Sequence, residues 1–146
     1  MSAAGGRRVG LLIPSSNTMM EMDFTRGLPS GCNLHTARMY MEDTTEEGEN
    51  RMLDEFALPA ARDVGTARPD VVVFGCTSAG ALRGNAYDAE LCERITEITG
   101  VPTVSTIQAV RTAITASGAR RVGVITPYVD VLNERIKASV EADGVE

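Results

Sequence analysis

Val71-Val72-Val73-Phe74-Gly75-Cys76-Thr77-Ser78-Ala79-Gly80 is the stretch whose reading decides the fold. Its first four residues are all apolar, three of them β-branched, and they follow the turn signal Pro69-Asp70. A run that is apolar at every position suits a strand buried on both faces of a parallel sheet. Gly75 breaks the run, and Cys76, Thr77 and Ser78 arrive where the strand must end. In an open α/β sheet, ligands bind outside the carboxyl ends of the strands. The next backbone amides open a loop or a helix N-terminus. A thiol, two hydroxyls and free N–H groups at that edge can hold an anion and attack it. Cys76 is therefore a candidate nucleophile or acid–base thiol.

Strand and helix patterns alternate on both sides of this stretch. Upstream, Val9 to Ile13 is a short apolar strand closed by Pro14, and Ser15-Ser16-Asn17-Thr18 follows at its carboxyl end. Ser, Asn and Thr are ordinary N-cap residues for the helix that Met19-Met20-Glu21-Met22 begins, and the same orphan amides can serve an anion. After the turn Leu28-Pro29-Ser30-Gly31, the alternation in Cys32 to Met41 predicts a second strand, with His35 in a packing role and Cys32 inert. Thr44-x-x-Glu47 resembles a capping box. Met52, Leu53, Phe56, Ala57, Ala60, Ala61 and Val64 form one helical stripe, which Pro59 should kink or divide. Glu42, Asp43, Glu46, Glu47 and Glu49 read as a solvated first turn with no chemistry.

Downstream, Gly80 to Asn85 reads as loop and Tyr87 to Thr99 as a helix ended by Gly100, with Cys92 on its core face. Val101 to Val104 is a short strand, and Ser105-Thr106 caps a helix that Gly118 ends. Arg121 to Thr126 repeats the first strand, R-R-V-G-V-I-T-P beside R-R-V-G-L-L-I-P, which hints at duplicated βα units. Tyr128 lies just past its end, and Asp130 caps a helix through Ala142. The alternation predicts a doubly wound parallel sheet with right-handed crossovers. Residues 1–118 are expected to form a first, complete α/β domain, and 119–146 the first strand–helix unit of a second, truncated one.

Composition narrows the function. The chain has 146 residues, 43% hydrophobic and 23% charged, with no Trp, which is ample for one globular core. A net charge of −6 with Lys and Arg scattered argues against a nucleic-acid surface. No apolar run approaches the roughly 20 residues of a membrane helix. The small, basic stretch Met1 to Arg8 is followed by an apolar segment too short for a secretory signal, so the cytoplasm is the expected compartment. Three cysteines without a C-x-x-C pair indicate neither a disulfide framework nor a zinc site. With His35 the single histidine, any thiol must be activated by something other than imidazole. No G-x-G-x-x-G or Walker loop follows a strand, so dinucleotide and nucleotide binding are not expected.

Three motifs, taken in order and spacing, resemble the aspartate/glutamate racemase superfamily, and within it the maleate cis-trans isomerases and arylmalonate decarboxylases. They are P-S-S-N (Pro14 to Asn17), G-C-T-S (Gly75 to Ser78) and T-P-Y (Thr126 to Tyr128); Asn133-Glu134-Arg135 resembles the helix that follows the last. The resemblance implies a flavodoxin-like half of a two-domain racemase-like fold, with the site in the cleft and no metal or organic cofactor. Cys76 matches the first of two family cysteines; the second would lie beyond Glu146. The decarboxylases resemble G-T-S here, with glycine in place of Cys76, so the departure favours an isomerase or racemase. Asn17 matches an asparagine that holds a substrate carboxylate, and Thr77, Ser78 and Tyr128 match groups that bind carboxylate oxygens.

The resemblance implies a maleate-to-fumarate type of isomerisation through a cysteine adduct. An amino-acid or hydantoin racemase, an arylmalonate-type decarboxylase and a non-catalytic carboxylate-binding domain are the alternatives. The partner is a small carboxylate, with neither nucleic acid nor membrane. Donors at a helix N-terminus are expected to lower the thiol pKa of Cys76 from its usual value near 8.5. A chain of this length alone should leave an apolar cleft wall open and self-associate as a homo-oligomer.

Overall fold

The computed structural model describes residues 6–146, so part of the basic stretch Met1 to Arg8 lies outside the described residues. Four parallel strands form one sheet in the order β2-β1-β3-β4, where β1 is Arg7–Pro14, β2 Cys32–Met39, β3 Val71–Phe74 and β4 Thr103–Ser105. Seven α-helices accompany them: α1 (Met20–Gly27), α2 (Glu46–Arg51), α3 (Ala57–Gly65), α4 (Thr77–Leu82), α5 (Asn85–Thr99), α6 (Thr106–Ser117) and α7 (Asp130–Glu141). This is the flavodoxin-like α/β arrangement, and its strand order reverses between β1 and β3. There the chain after β1 and the chain after β3 diverge and leave a crevice. Leu12 of β1 is in register with Phe74 of β3, so Asn17 and Cys76 emerge at the same edge of the sheet.

The sheet is covered more heavily on one face than on the other. Leu12, Met39, Val72 and Phe74 are fully buried in a core with Ala57, Ala61, Leu91 and Ile95 from α3 and α5. Val71 and Val73, on the other face of β3, are only half-buried. The expected two-sided burial holds on the α3–α5 side, while α1 contributes no fully buried residue and α6 only Ile107. Gly75 is required by close approach: a Cβ there would lie 2.5 Å from Met20 Sδ, 2.9 Å from Ile13 Cγ2 and 3.0 Å from the carbonyl oxygen of Leu12.

The helical stripe is divided as Pro59 predicts: a π-helical turn over Met52–Phe56 separates α2 from α3, and Pro59 falls in the first turn of α3, where its missing N–H costs least. Three expectations need correction. Thr45, not Thr44, caps α2, its hydroxyl accepting from the Gly48 amide at 3.1 Å. Gly80 to Leu82 continue α4 and are not loop. Arg121 to Thr126 form no strand: their ladder bonds are those of one rung, Val122 N–H to the Glu146 carbonyl and Glu146 N–H to the Arg120 carbonyl, both 2.8 Å. A strand needs a neighbour along its length, and Val124 and Ile125 instead lie exposed, Ile125 at 99%. Among the described residues, no helix is long and apolar enough to cross a membrane.

Candidate functional site

The edge of β1 and β3 is built by backbone requirements before any side chain is considered. After Pro14, the Ser15 amide bonds the Met39 carbonyl at 2.7 Å, and the Ser15 hydroxyl takes the Met41 amide at 3.0 Å. Arg38 completes the clamp, donating to the carbonyls of Ser15 and Asn17 at 3.1 and 2.9 Å and pairing with Glu21. Asn17 Oδ1 accepts from the Met19 and Met20 amides at 3.0 and 2.9 Å, so the capping reading of this cluster holds. That use engages the oxygen and leaves the Nδ2 donors for a ligand.

Past Gly75 the chain enters α4 with Cys76 as its N-cap residue, in extended conformation and with no side-chain cap bond. Tyr128 arrives from the loop before α7. Its amide donates to Thr126 Oγ1 at 3.2 Å, and its carbonyl accepts from Asn133 Nδ2 at 2.9 Å. Thr126 and Asn133 are hydrogen-bonded to each other, so the T-P-Y motif and Asn133 act together to set the tyrosine.

The result is a cleft of about 170 Å³ whose wall contains Pro14, Asn17, Gly75, Cys76, Thr77, Ser78 and Tyr128. Every residue singled out from the sequence for the site borders this one space. Met20, Met41 and Thr44 also border it and were not foreseen. The lining contains no Asp or Glu, which suits an anionic occupant. Cys76 is only 7% exposed, yet its remaining surface opens here.

The electrostatics differ from expectation at the sulfur. Burial pushes the Cys76 thiol up to about 12, and the charge of Glu49 pushes the same way; the Ala79 amide and Ser78 hydroxyl offset only part. Desolvation outweighs the donors of a short helix, so the resting group is a thiol. Burial also raises Tyr128, with Ser78 opposing and Cys76 and Glu49 adding to the rise.

Glu49 overturns the reading of the acidic run as solvated. It is fully buried, and its Oε1 accepts from the Ser78 hydroxyl, whose oxygen lies 3.9 Å from Cys76 Sγ. Its Oε2 is buried without a hydrogen-bond partner. Burial raises its pKa above the ordinary 4.5, with the Ser78 bond opposing. Helical spacing could have revealed it, because Glu49 stands three and four residues before the buried Met52 and Leu53. Among the described residues, no group of three or more His, Cys, Asp or Glu side chains could hold a metal ion.

A thiol and neutral donors at the carboxyl edge of a doubly wound parallel sheet place this crevice at the switch point, where α/β proteins of this class bind their ligands. The family model described as arylmalonate decarboxylase matches residues 9–146, and the chain belongs to that family, within the aspartate/glutamate racemase-like superfamily. The maleate isomerase of Geobacillus stearothermophilus is 29% identical over 152 residues, covering 95% of this chain and 60% of its own length. A cysteine-to-alanine variant of the maleate isomerase from Pseudomonas putida S16, solved with maleate, superposes with a TM-score of 0.89 at 31% identity, over 96% of this chain and 60% of that one. A cysteine-to-serine mutant of the Nocardia farcinica maleate cis-trans isomerase with a covalently bound succinylcysteine intermediate gives 0.82 at 28% identity, over 97% and 61%. The chain thus spans about 60% of the length of these relatives.

Proposed function

We propose that this chain carries the nucleophilic half of a cofactor-independent cis–trans isomerase acting on a small dicarboxylate, of the maleate-to-fumarate type. The observation that carries the reading is that Cys76 shares one acid-free cleft with Asn17, Thr77, Ser78 and Tyr128. The maleate isomerase relatives, one of them holding a succinylcysteine, support the same chemistry.

In this scheme the Cys76 sulfur adds to one alkene carbon as the thiol passes its proton to a base of the site, which returns it when the sulfur leaves. The π pair moves into the adjacent carboxylate as an aci-carboxylate, which Asn17, Tyr128 and the Ser78 backbone amide stabilise by donation. The former double bond, now single, rotates. The electron pair then returns, expels the sulfur and leaves the trans diacid. Thr77 and the backbone amides beside it hold the second carboxylate. Residues 1–118 act as a first α/β unit and 119–146 open a second. The single parallel rung at Glu146 and an open groove of about 500 Å³ lined by Val122, Val124, Ile125, Ile136, Val140 and Val145 support that division.

The test is to incubate the protein with maleate and follow fumarate by proton NMR, beside Cys76→Ser. Fumarate that forms with wild type and not with the variant is the expected result. Turnover that survives the substitution removes Cys76 from the reaction. Deuterium from solvent appearing at the α-carbon of aspartate or glutamate would instead assign racemisation.

A further inference from the structure

The isomerase reading needs a base for Cys76, and the molecule's single histidine, His35, is on β2 and not in the cleft wall. We infer that Glu49 is the proton acceptor for Cys76, reached through the Ser78 hydroxyl, a cysteine–serine–glutamate relay buried behind the cleft. The inference rests on the reading of Cys76 as nucleophile and adds the group that activates it. The geometry is continuous: Cys76 Sγ to Ser78 Oγ is 3.9 Å, and Ser78 Oγ is hydrogen-bonded to Glu49 Oε1. Glu49 does not border the cleft, so it acts through Ser78 as a positioning residue for the thiol proton.

The step balances. As sulfur forms its bond to carbon, the S–H proton moves to Ser78 Oγ and the Ser78 proton moves to Glu49 Oε1. The thiol becomes a thioether, the carboxylate becomes a carboxylic acid, and the negative charge passes from Glu49 to the aci-carboxylate of the substrate. Elimination reverses each transfer. The total charge of the site never changes.

The surroundings of Glu49 suit an acceptor. Its Oε2 is buried and unpartnered, so the ionised form is poorly stabilised and correspondingly basic. The titratable groups that face it are Cys76, at the N-cap of α4, and Tyr128, from the loop before α7. On its own helix Glu46 and Glu47 are exposed, and the following turn turns the apolar Met52 and Leu53 inward while Asp54 and Glu55 stay exposed. Arg83 reaches Asn50 at 2.8 Å on the same helix, but its guanidinium is paired with Asp54. A carboxylate kept only to hold α4 in place would have no use for this basicity.

The test reads the thiol, not turnover, so it is separable from the isomerase assay. The full chain is treated with iodoacetamide from about pH 5 to about pH 10, and Cys76 alkylation is followed by peptide mass spectrometry. In wild type the rate should climb as Glu49 loses its proton and then level off before about pH 9, well below the pH at which the thiol itself ionises. In Glu49→Gln, which keeps the volume and the acceptor for Ser78, the rate should still climb about tenfold per pH unit at about pH 9 and be at least about tenfold below wild type at pH 7. Ser78→Ala breaks the path with Glu49 intact and should show the same climb, so one folded variant suffices. A wild-type rate that rises tenfold per unit throughout, without a plateau, overturns the relay even if neither variant folds. A plateau retained in Glu49→Gln does the same. Loss of the plateau with Cys76→Ser still turning over maleate would leave the relay and sink the isomerase reading.

Discussion

The molecule holds two clusters made from the same three kinds of group, and they have different fates. Cys76 sits with Ser78 and Glu49, and Cys92 sits with Ser105 and Asp88. Both thiols are 7% exposed and both are pushed up to about 12, by burial first and by the neighbouring carboxyl second. Both carboxyls accept from their serine, Asp88 Oδ2 at 2.6 Å, and both leave one buried oxygen unpartnered. The difference lies in front of the sulfur. Cys76 ends a strand and faces neutral donors. Cys92 is in the middle of α5 and borders an open groove with Glu93 and Glu97, whose charges repel a dicarboxylate. Asp88 also has Arg111 to oppose its shift, whereas no such cation acts on Glu49. A thiol, a hydroxyl and a carboxyl do not make a site; the end of a strand at the switch point does.

The sharpest way to break this comparison is to exchange each sulfur. Cys76→Ser should lower fumarate formation from maleate by at least about 10³-fold, since a nucleophile is removed from the bond-forming step. Cys92→Ser should stay within about twofold of wild type, because Glu93 and Glu97 border its groove and repel a dicarboxylate. Equal losses in the NMR assay would mean that the Cys92 cluster matters as much as the Cys76 cluster.

Next in size are the two glycines that let each cluster close. Gly75→Ala sets a methyl 3.0 Å from a backbone oxygen and 2.5 Å from the Met20 sulfur, so β3 must move and the fold should lose about 1–3 kcal/mol. Gly80→Ala sets one 2.8 Å from both Asp88 Oδ1 and Ile107 Cγ2. There the helix regains roughly 1 kcal/mol of propensity, so the net loss should be smaller. Denaturant unfolding of both variants checks the order.

The pH dependence of stability probes both carboxyls at once. Glu49 and Asp88 are both raised above their ordinary 4.5 and 3.8, chiefly by burial, so the folded chain keeps protons that the unfolded chain releases. Their contribution is complete below the ordinary carboxylate range and is lost as pH rises through the raised values. Melting temperature should therefore fall with pH across that window, and Glu49→Gln and Asp88→Asn should each flatten the fall.

What the sequence made legible follows from locality. Cys76, Thr77 and Ser78 are consecutive at a strand end, so one short stretch revealed both the edge and its chemistry. Asn17 and Tyr128 stood at matching positions after apolar runs. Glu49 was hidden because its burial is decided by α4 packing across it, and its acidic neighbours disguised the helical phase. Residues 121–126 carry a strand's pattern, but ladder bonds depend on a neighbour that local pattern does not contain. The direction of the Cys76 shift was misjudged for a related reason: amide donors are visible in a motif, while desolvation belongs to the whole fold.

The caps that hold each cluster separate stability from reactivity. Thr45 caps α2, which carries Glu49; its hydroxyl accepts from the Gly48 amide at 3.1 Å. Thr45→Ala should cost about 1 kcal/mol. Ser105 caps α6 by accepting from the Gln108 amide at 3.1 Å, and the same hydroxyl donates to Asp88. Ser105→Ala therefore removes a cap and leaves a second buried carboxyl oxygen without a partner, so it should cost about 1–3 kcal/mol more than a cap alone. The functional order should be the reverse. Thr45→Ala loosens the helix that positions Glu49 and should slow Cys76 alkylation at neutral pH, while Ser105→Ala should leave that rate unchanged despite the larger loss of stability. If alkylation instead tracked stability in both variants, the two clusters would be one cooperative unit, and the separation drawn between them would not hold.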